Sequence, residues 1–425
     1  MKKIIVSLLF SMFFLWGFSL YAEVKGCPEN PIDKCPKGFL CNTPKPYKGE
    51  SLRKKMAVLN FEYKKKWVVH SVDISLGSKL YAATKKGGQY VSKKVISGVE
   101  SLNKKIKEST IGKKLNKTKV ADLMTRLKRR IGKFQLIKPM DKVEKENIFN
   151  IEKKTVNLRY VNHNNLGVDN TNEAFGMTKF YVYSSRKWKN EKRPLLIIMP
   201  PVYGISPFDI GMAARYVKHG FKVVILELGG FKFVSPFQHT SNLPRTMVRS
   251  MGDVHRLIEY MVSAQSVDRN KIGIFGFSLG GIFASLAFTV NKDIKALSLA
   301  VGGGNFAEIL TNSKQAVASL YRKYRMKEEK IATKEEYFKV MQKAFSYDPV
   351  RFAHLKDPKD VYLVFTEGDS AVPTKNQRDL ERAFGASCKK GNSRWEVGEH
   401  FVAIIKDLLH RESINKFFKD RLQVK

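Results

Sequence analysis

Acidic residues are scarce in this chain. Of 425 residues only 39 are Asp or Glu, against 77 Lys or Arg, which leaves a formal charge of +38. Such an excess draws a protein toward anionic surfaces and says nothing about its fold. No motif that reads nucleic acid accompanies the charge, so no nucleic-acid partner is expected. Cysteine is also rare: Cys27, Cys35, Cys41 and Cys388 are the full set. The chain is far too long to be a small scaffold stapled by disulfides, and its cysteines lack the Cys-x-x-Cys pair of common zinc sites. No metal and no cofactor is expected. Gly302, Gly303 and Gly304 form a glycine run, but no phosphate-loop lysine and serine follow in register, so a backbone turn is the expectation there. Long apolar runs are missing after the first twenty residues, so the body beyond them is expected to be soluble.

What is present starts with a leader. Lys2 and Lys3 precede an apolar run from Ile4 to Leu20 and the small residue Ala22, which reads as a secretory signal over residues 1–22. The alternative is an uncleaved membrane anchor. Export would place the protein in the periplasm or outside the cell, where disulfides survive. Four cysteines allow three pairings, and a bridge to Cys388 would pin the Cys/Pro-rich segment 23–42 onto the C-terminal region. A lipid-modified Cys27 is the rival, although Lys25 fits a lipobox poorly. Between Thr43 and Asn150 there are 28 Lys and Arg against nine Asp and Glu, half of the net charge in a quarter of the chain. We assign 43–150 to a basic helical extension: Val72, Leu76 and Leu80, then Val91, Val95 and Val99, then Val120, Leu123, Met124, Leu127 and Ile131 make apolar stripes at helical spacing. Two roles fit, a basic face lying on an anionic membrane or envelope, and an arm whose lysines are merely solvated.

From about residue 151 strands alternate with helices. Segments at Thr155–Val161, Thr178–Tyr183, Leu195–Met199, Lys222–Leu228, Ile272–Phe277, Ile294–Ala300, Val361–Thr366 and Ser393–Val397 read as strands. The alternation predicts an α/β fold, a mostly parallel central sheet with helices on both faces and ligands at the carboxyl ends of the strands. The strand-free interval 305–355 reads as a helical cap.

Gly276-Phe277-Ser278-Leu279-Gly280 spells G-x-S-x-G between a β-rich run and a small apolar helical run, the context of a nucleophile elbow. A serine hydroxyl needs a base, and the base an orienting acid. Asp369 stands on a turn past the strand Val361–Thr366, and His400 follows the strand Ser393–Val397. Glu367 is the rival acid; His354, His239, His255 and His410 are the rival bases. One oxyanion donor is the Leu279 N–H. The other belongs after Leu195–Met199, where Pro200 and Pro201 have no N–H to donate. Val202 is therefore the first choice and Tyr203 the second.

On the elbow, on Gly368-Asp369 with Val372-Pro373, and on the late His400, residues 153–418 resemble the α/β-hydrolase superfamily, in its dienelactone-hydrolase-like and acyl-esterase branches. The resemblance implies Ser278 as nucleophile, His400 as general base and Asp369 as the acid that orients the imidazole. The expected protein is an exported serine hydrolase that cleaves a small-molecule or lipid carboxylic ester through an acyl-enzyme, with thioesters and amides open to the same machinery. Its rival is a catalytically silent hydrolase-fold protein that holds an anionic envelope or membrane surface through the basic extension.

Overall fold

The segments read as strands assemble into a single sheet. The computed structural model describes residues 35, 38–42, 44–63, 67–76, 151–161, 175–202, 204–228, 239–400, 404 and 412–424. The expected signal, Cys27, Tyr203, His410 and the stripes from Leu80 to Ile131 lie outside the described residues. Residues 21–75 and 151–425 form one compact unit, to which everything below belongs. Its strands are β1 (Trp67–Leu76), β2 (Ile151–Val161), β3 (Phe175–Ser185), β4 (Arg193–Met199), β5 (Lys222–Leu226), β6 (Val267–Phe277), β7 (Ile294–Ala300), β8 (Val361–Glu367) and β9 (Ser393–Val397). They lie in the order β1-β2-β3-β5-β4-β6-β7-β8-β9. Pairing from β5 through β4 to β9 is parallel, while β2 with β3 and β3 with β5 is antiparallel. All eight strands read in the sequence from Thr155 onward form.

The inner parallel strands carry long apolar stretches, such as Leu195–Met199 in β4 and Val223–Leu226 in β5, because helices cover both faces. In β4, Leu195 to Met199 are each 0% exposed. One face carries α2 (Pro207–Lys218) and the C-terminal α9 (Glu412–Leu422), whose Tyr216 and Phe418 rings meet edge to face at 5.9 Å. The other carries α3 (Leu243–Ala264), α4 (Leu279–Val290) and α8 (Thr374–Ala383). In α3 the buried Met247, Met251, Val254, Leu257, Ile258 and Met261 recur every three or four residues, the stripe a helix needs to lie on a sheet. The interval read as a cap is helical, with α5 (Phe306–Asn312), α6 (Ala316–Glu328) and α7 (Lys334–Ala344).

The basic extension differs from its expected form. Residues 49–63 make the helix α1, with Leu59 fully buried in the main hydrophobic core. Residues 67–76 are a strand at the sheet edge, where a helical stripe was expected from Val72 and Leu76. Positions four apart share a face in a strand of period two as well as in a helix, and the β-branched and aromatic residues of Trp67–Leu76 decide for the strand.

Ahead of α1, residues 38–47 run as a strap across the inserted helices. The Asn312 side chain clamps Leu40, accepting from its N–H at 3.2 Å and donating to its carbonyl at 2.8 Å. Asn42 N–H donates to Glu308 Oε2 at 3.1 Å, and Tyr47 N–H to the Arg351 carbonyl at 3.0 Å. Cys35 and Cys41 form a disulfide just before the Asn42 seat. Cys388 is disulfide-bonded too, to a partner outside the described residues.

Candidate active site

Chain order places a crevice between β4 and β6. From β4 the chain moves to β5 on one side, then returns to β6 on the other, so their carboxyl ends open at a topological switch point. Ser278 stands there, directly after β6, with φ 53° and ψ −122°. Such a backbone is costly for a residue with a side chain, by about 1–3 kcal/mol, and is kept where the surroundings over-determine it. The surroundings here are backbone. A Cβ on Gly280 would overlap the Met199 carbonyl oxygen at the end of β4, and one on Gly276 would lie 2.7 Å from Gly281 N. Glycine at both positions lets β6 turn into α4 within one residue. Ser278 N–H donates to the Ala300 carbonyl at 3.0 Å, and its own carbonyl accepts from Ile282 N–H at 3.1 Å. No side-chain capping bond is made by Ser278, so its hydroxyl is unspent at the positive end of α4.

Two strands along, the turns after β8 and β9 meet. His400 Nδ1 lies 2.7 Å from Asp369 Oδ2. The Asp369 carboxyl is fully buried and the His400 side chain 13% exposed. Asp369 Oδ1 accepts from the N–H groups of Ala371 and Val372 at 2.8 and 2.9 Å, and Oδ2 also accepts from Gln377 Nε2 at 3.1 Å. Four donors thus converge on two oxygens, a partner set that suits an acceptor-only carboxylate. With Nδ1 as the donor to Asp369, His400 Nε2 carries the lone pair. Glu399 ties the two turns together, accepting from Ser370 Oγ at 2.8 Å and from its N–H at 3.3 Å.

The Leu279 N–H opens α4, where no turn of helix precedes it to supply an acceptor. Val202 is buried and lies inside a turn closed by Gly204 N–H to the Pro201 carbonyl at 2.9 Å. That turn is in touch with the elbow, since the missing Cβ of Gly280 would come within 2.7 Å of the Pro200 oxygen. Downstream, Ser206 and Asp209 form a capping box on α2. Burial pushes the Asp209 carboxyl up to about 6, against the lowering effect of its bonds to Ser206.

The rivals stand elsewhere. Glu367 pairs with Arg378 at 3.2 Å. His239 Nδ1 lies 2.8 Å from Ser241 Oγ, His255 lies on α3 with Glu259 at 3.9 Å, and His354 is in a 3-10 turn before β8. The glycine run is a packing device: a Cβ on Gly303 would strike Val372 at 2.7 Å. Among the described residues no cluster of His, Cys, Asp and Glu could hold a metal ion. A cavity of about 230 Å³ adjoins the turns after β8 and β9, lined by Glu367, Gly368, Val397, Gly398 and Glu399. A larger one, about 440 Å³, lies by Val361 and Asn392 at the opposite ends of β8 and β9. Gln377, Thr366 and Glu399 are the residues of the site that the sequence did not disclose, because a Gln on a helix and a Thr on a strand carry no motif.

Similarity to known proteins runs through the same region. The profile of the prolyl oligopeptidase family matches residues 208–392. A curated protein of Bradyrhizobium sp, named a probable 2-oxo-3-(5-oxofuran-2-ylidene)propanoate lactonase, is 26% identical over 115 residues, which is 25% of this chain and 44% of that protein. The chain therefore spans less than half the length of this relative. Among solved structures, an acetyl xylan esterase from Paenibacillus sp. R4 aligns at 12% identity and a TM-score of 0.46, over 67% of this chain and 87% of that one. A putative dienelactone hydrolase from Klebsiella pneumoniae subsp. pneumoniae MGH 78578 aligns at 14% and 0.35, over 59% and 92%. The Pyrococcus horikoshii acylaminoacyl peptidase aligns at 15% and 0.41, over 65% and 48%.

Proposed function

We propose that this α/β-hydrolase is an exported enzyme that cleaves a carboxylic ester through an acyl-enzyme, with Ser278 as nucleophile, His400 as general base and Asp369 as its orienting acid. The observation that carries the reading is the 2.7 Å contact between His400 Nδ1 and the buried Asp369 carboxylate, in turns at the carboxyl ends of the parallel strands β8 and β9, the same end of the sheet at which Ser278 follows β6. Ser278 Oγ attacks the ester carbonyl carbon while His400 Nε2 takes its proton. The carbonyl oxygen becomes an oxyanion facing the N–H groups of Leu279 and Val202 at the positive end of α4. His400 returns the proton to the departing alcohol. Water then attacks the acyl-serine by the same route, and the acid leaves. Asp369 holds the imidazole in the tautomer that keeps Nε2 free to accept.

An ester is favoured over an amide because a lactone is a cyclic ester and the matched curated relative is named a lactonase. The test is a panel of short and medium acyl esters, thioesters and aminoacyl anilides with wild type and Ser278→Ala. Ester turnover that drops by at least about a thousandfold in the variant supports the reading. Turnover that survives in Ser278→Ala, or a fluorophosphonate that labels another residue, overturns it. We further propose that the basic extension holds the enzyme on an anionic membrane or envelope surface. Its sedimentation with anionic vesicles should then fade as salt is raised; binding without any turnover would favour the silent adaptor instead.

A further inference from the structure

We infer that Gln377 is a positioning residue for the reaction, a buried amide that fixes which oxygen of Asp369 meets His400 and from which direction. The inference rests on the Ser278, His400 and Asp369 reading above. Gln377 lies on α8 and is 0% exposed. Its Nε2 donates to Asp369 Oδ2 at 3.1 Å and to the Val372 carbonyl at 2.7 Å. Its Oε1 accepts from Thr366 N–H at 2.9 Å. The amide has no second orientation here. Turned over, it would set an oxygen against two acceptors and an NH₂ against an N–H at a fully buried position.

Oδ2 is thereby shared between one amide and one imidazole, and each donor limits where the other can stand. Thr366 extends the constraint to the base, because its Oγ1 donates to the Gly398 carbonyl at 2.9 Å, two residues before His400. One side chain on α8 and one on β8 thus couple the acid turn to the base turn. Nothing in this arrangement touches substrate, so Gln377 acts only through Asp369. A glutamate in its place would keep the size and the Thr366 contact, but would face a carboxylate and a carbonyl with acceptors alone.

The experiment measures kcat, KM and the pH profile of kcat/KM for wild type, Gln377→Leu, Gln377→Met and Gln377→Glu on an ester that wild type turns over, with thermal midpoints for each. Expected for Leu and Met is a kcat lower by about ten- to a hundredfold with KM changed less than about threefold. The acid limb of the profile moves to higher pH, because Oδ2 with one donor fewer holds the imidazolium form more firmly. Gln377→Glu should be at least as slow as Gln377→Leu. Wild-type kcat and an unmoved acid limb in both apolar variants would overturn the inference while leaving the Ser278 reading intact. A kcat that falls only in step with the thermal midpoint, with the limb unmoved, would equally overturn it by reducing Gln377 to packing. Persistent activity in Ser278→Ala marks failure of the underlying reading instead.

Discussion

At Ser278 the chemistry and the backbone make opposite demands, and substitutions can separate them. Both Ser278→Gly and Ser278→Ala remove the proposed nucleophile, but only glycine is at ease at φ 53°. Gly should exceed Ala in unfolding free energy by about 1 kcal/mol, measured by urea titration; equal values would mean that the elbow is not strained. Gly280→Ala tests the wall behind it. Its Cβ would overlap the Met199 carbonyl, a backbone atom that cannot swing aside, so a loss of about 3 kcal/mol or more is expected. Ester turnover should fall too, because β4 leads straight into the Val202 turn. The sequence reading put Ser278, Asp369 and His400 in turns just past strand ends, and the structure has all three there and joins Asp369 to His400. Gln377 was not legible in the sequence: its role exists only once α8 brings it beneath Asp369.

Elements show the same division. The bounds of β7 and β9 agree with the sequence reading to the residue, and Asn291 and Gly391 with their neighbours punctuate the chain just before each strand. The strand β1 departs from the expected helix because a spacing of four fits both periods, and the β-branched and aromatic residues of Trp67–Leu76 favour the strand. Helix α2 yields a prediction about pH. Its capping residue Asp209 is raised from 3.8 to about 6 by burial, so between those values the folded state keeps a proton that the unfolded chain has lost. Stability conferred through this group is therefore greatest at low pH, falls as pH rises from about 4 to about 6 and is level above, for a total of about 3 kcal/mol. Asp209→Asn should flatten that part of the stability profile and leave the variant no less stable at pH 7. A slope unchanged from wild type would refute the assignment.

On the scale of the whole molecule the strap is the feature that sequence could not show, since its partners are two side chains on α5, Glu308 and Asn312, and a carbonyl beyond α7. Asn312→Ala should cost about 1–2 kcal/mol by removing both bonds to Leu40. The paired change Cys35→Ser with Cys41→Ser loosens the same segment, so combining the two in one protein should cost less than their sum; strict additivity in the thermal midpoints would show that the disulfide and the clamp act on separate parts. Burial raises Glu308, the seat of Asn42, to about 7 against the lowering pull of Lys375. Leu40 and Asn312 are 272 positions apart. On a chain synthesised at about 5–20 residues per second, the strap exists for roughly 14 to 54 seconds before its clamp has been made. During that interval its polar backbone must be held by water or by a chaperone, and the strap can dock only after the helices that receive it have been translated.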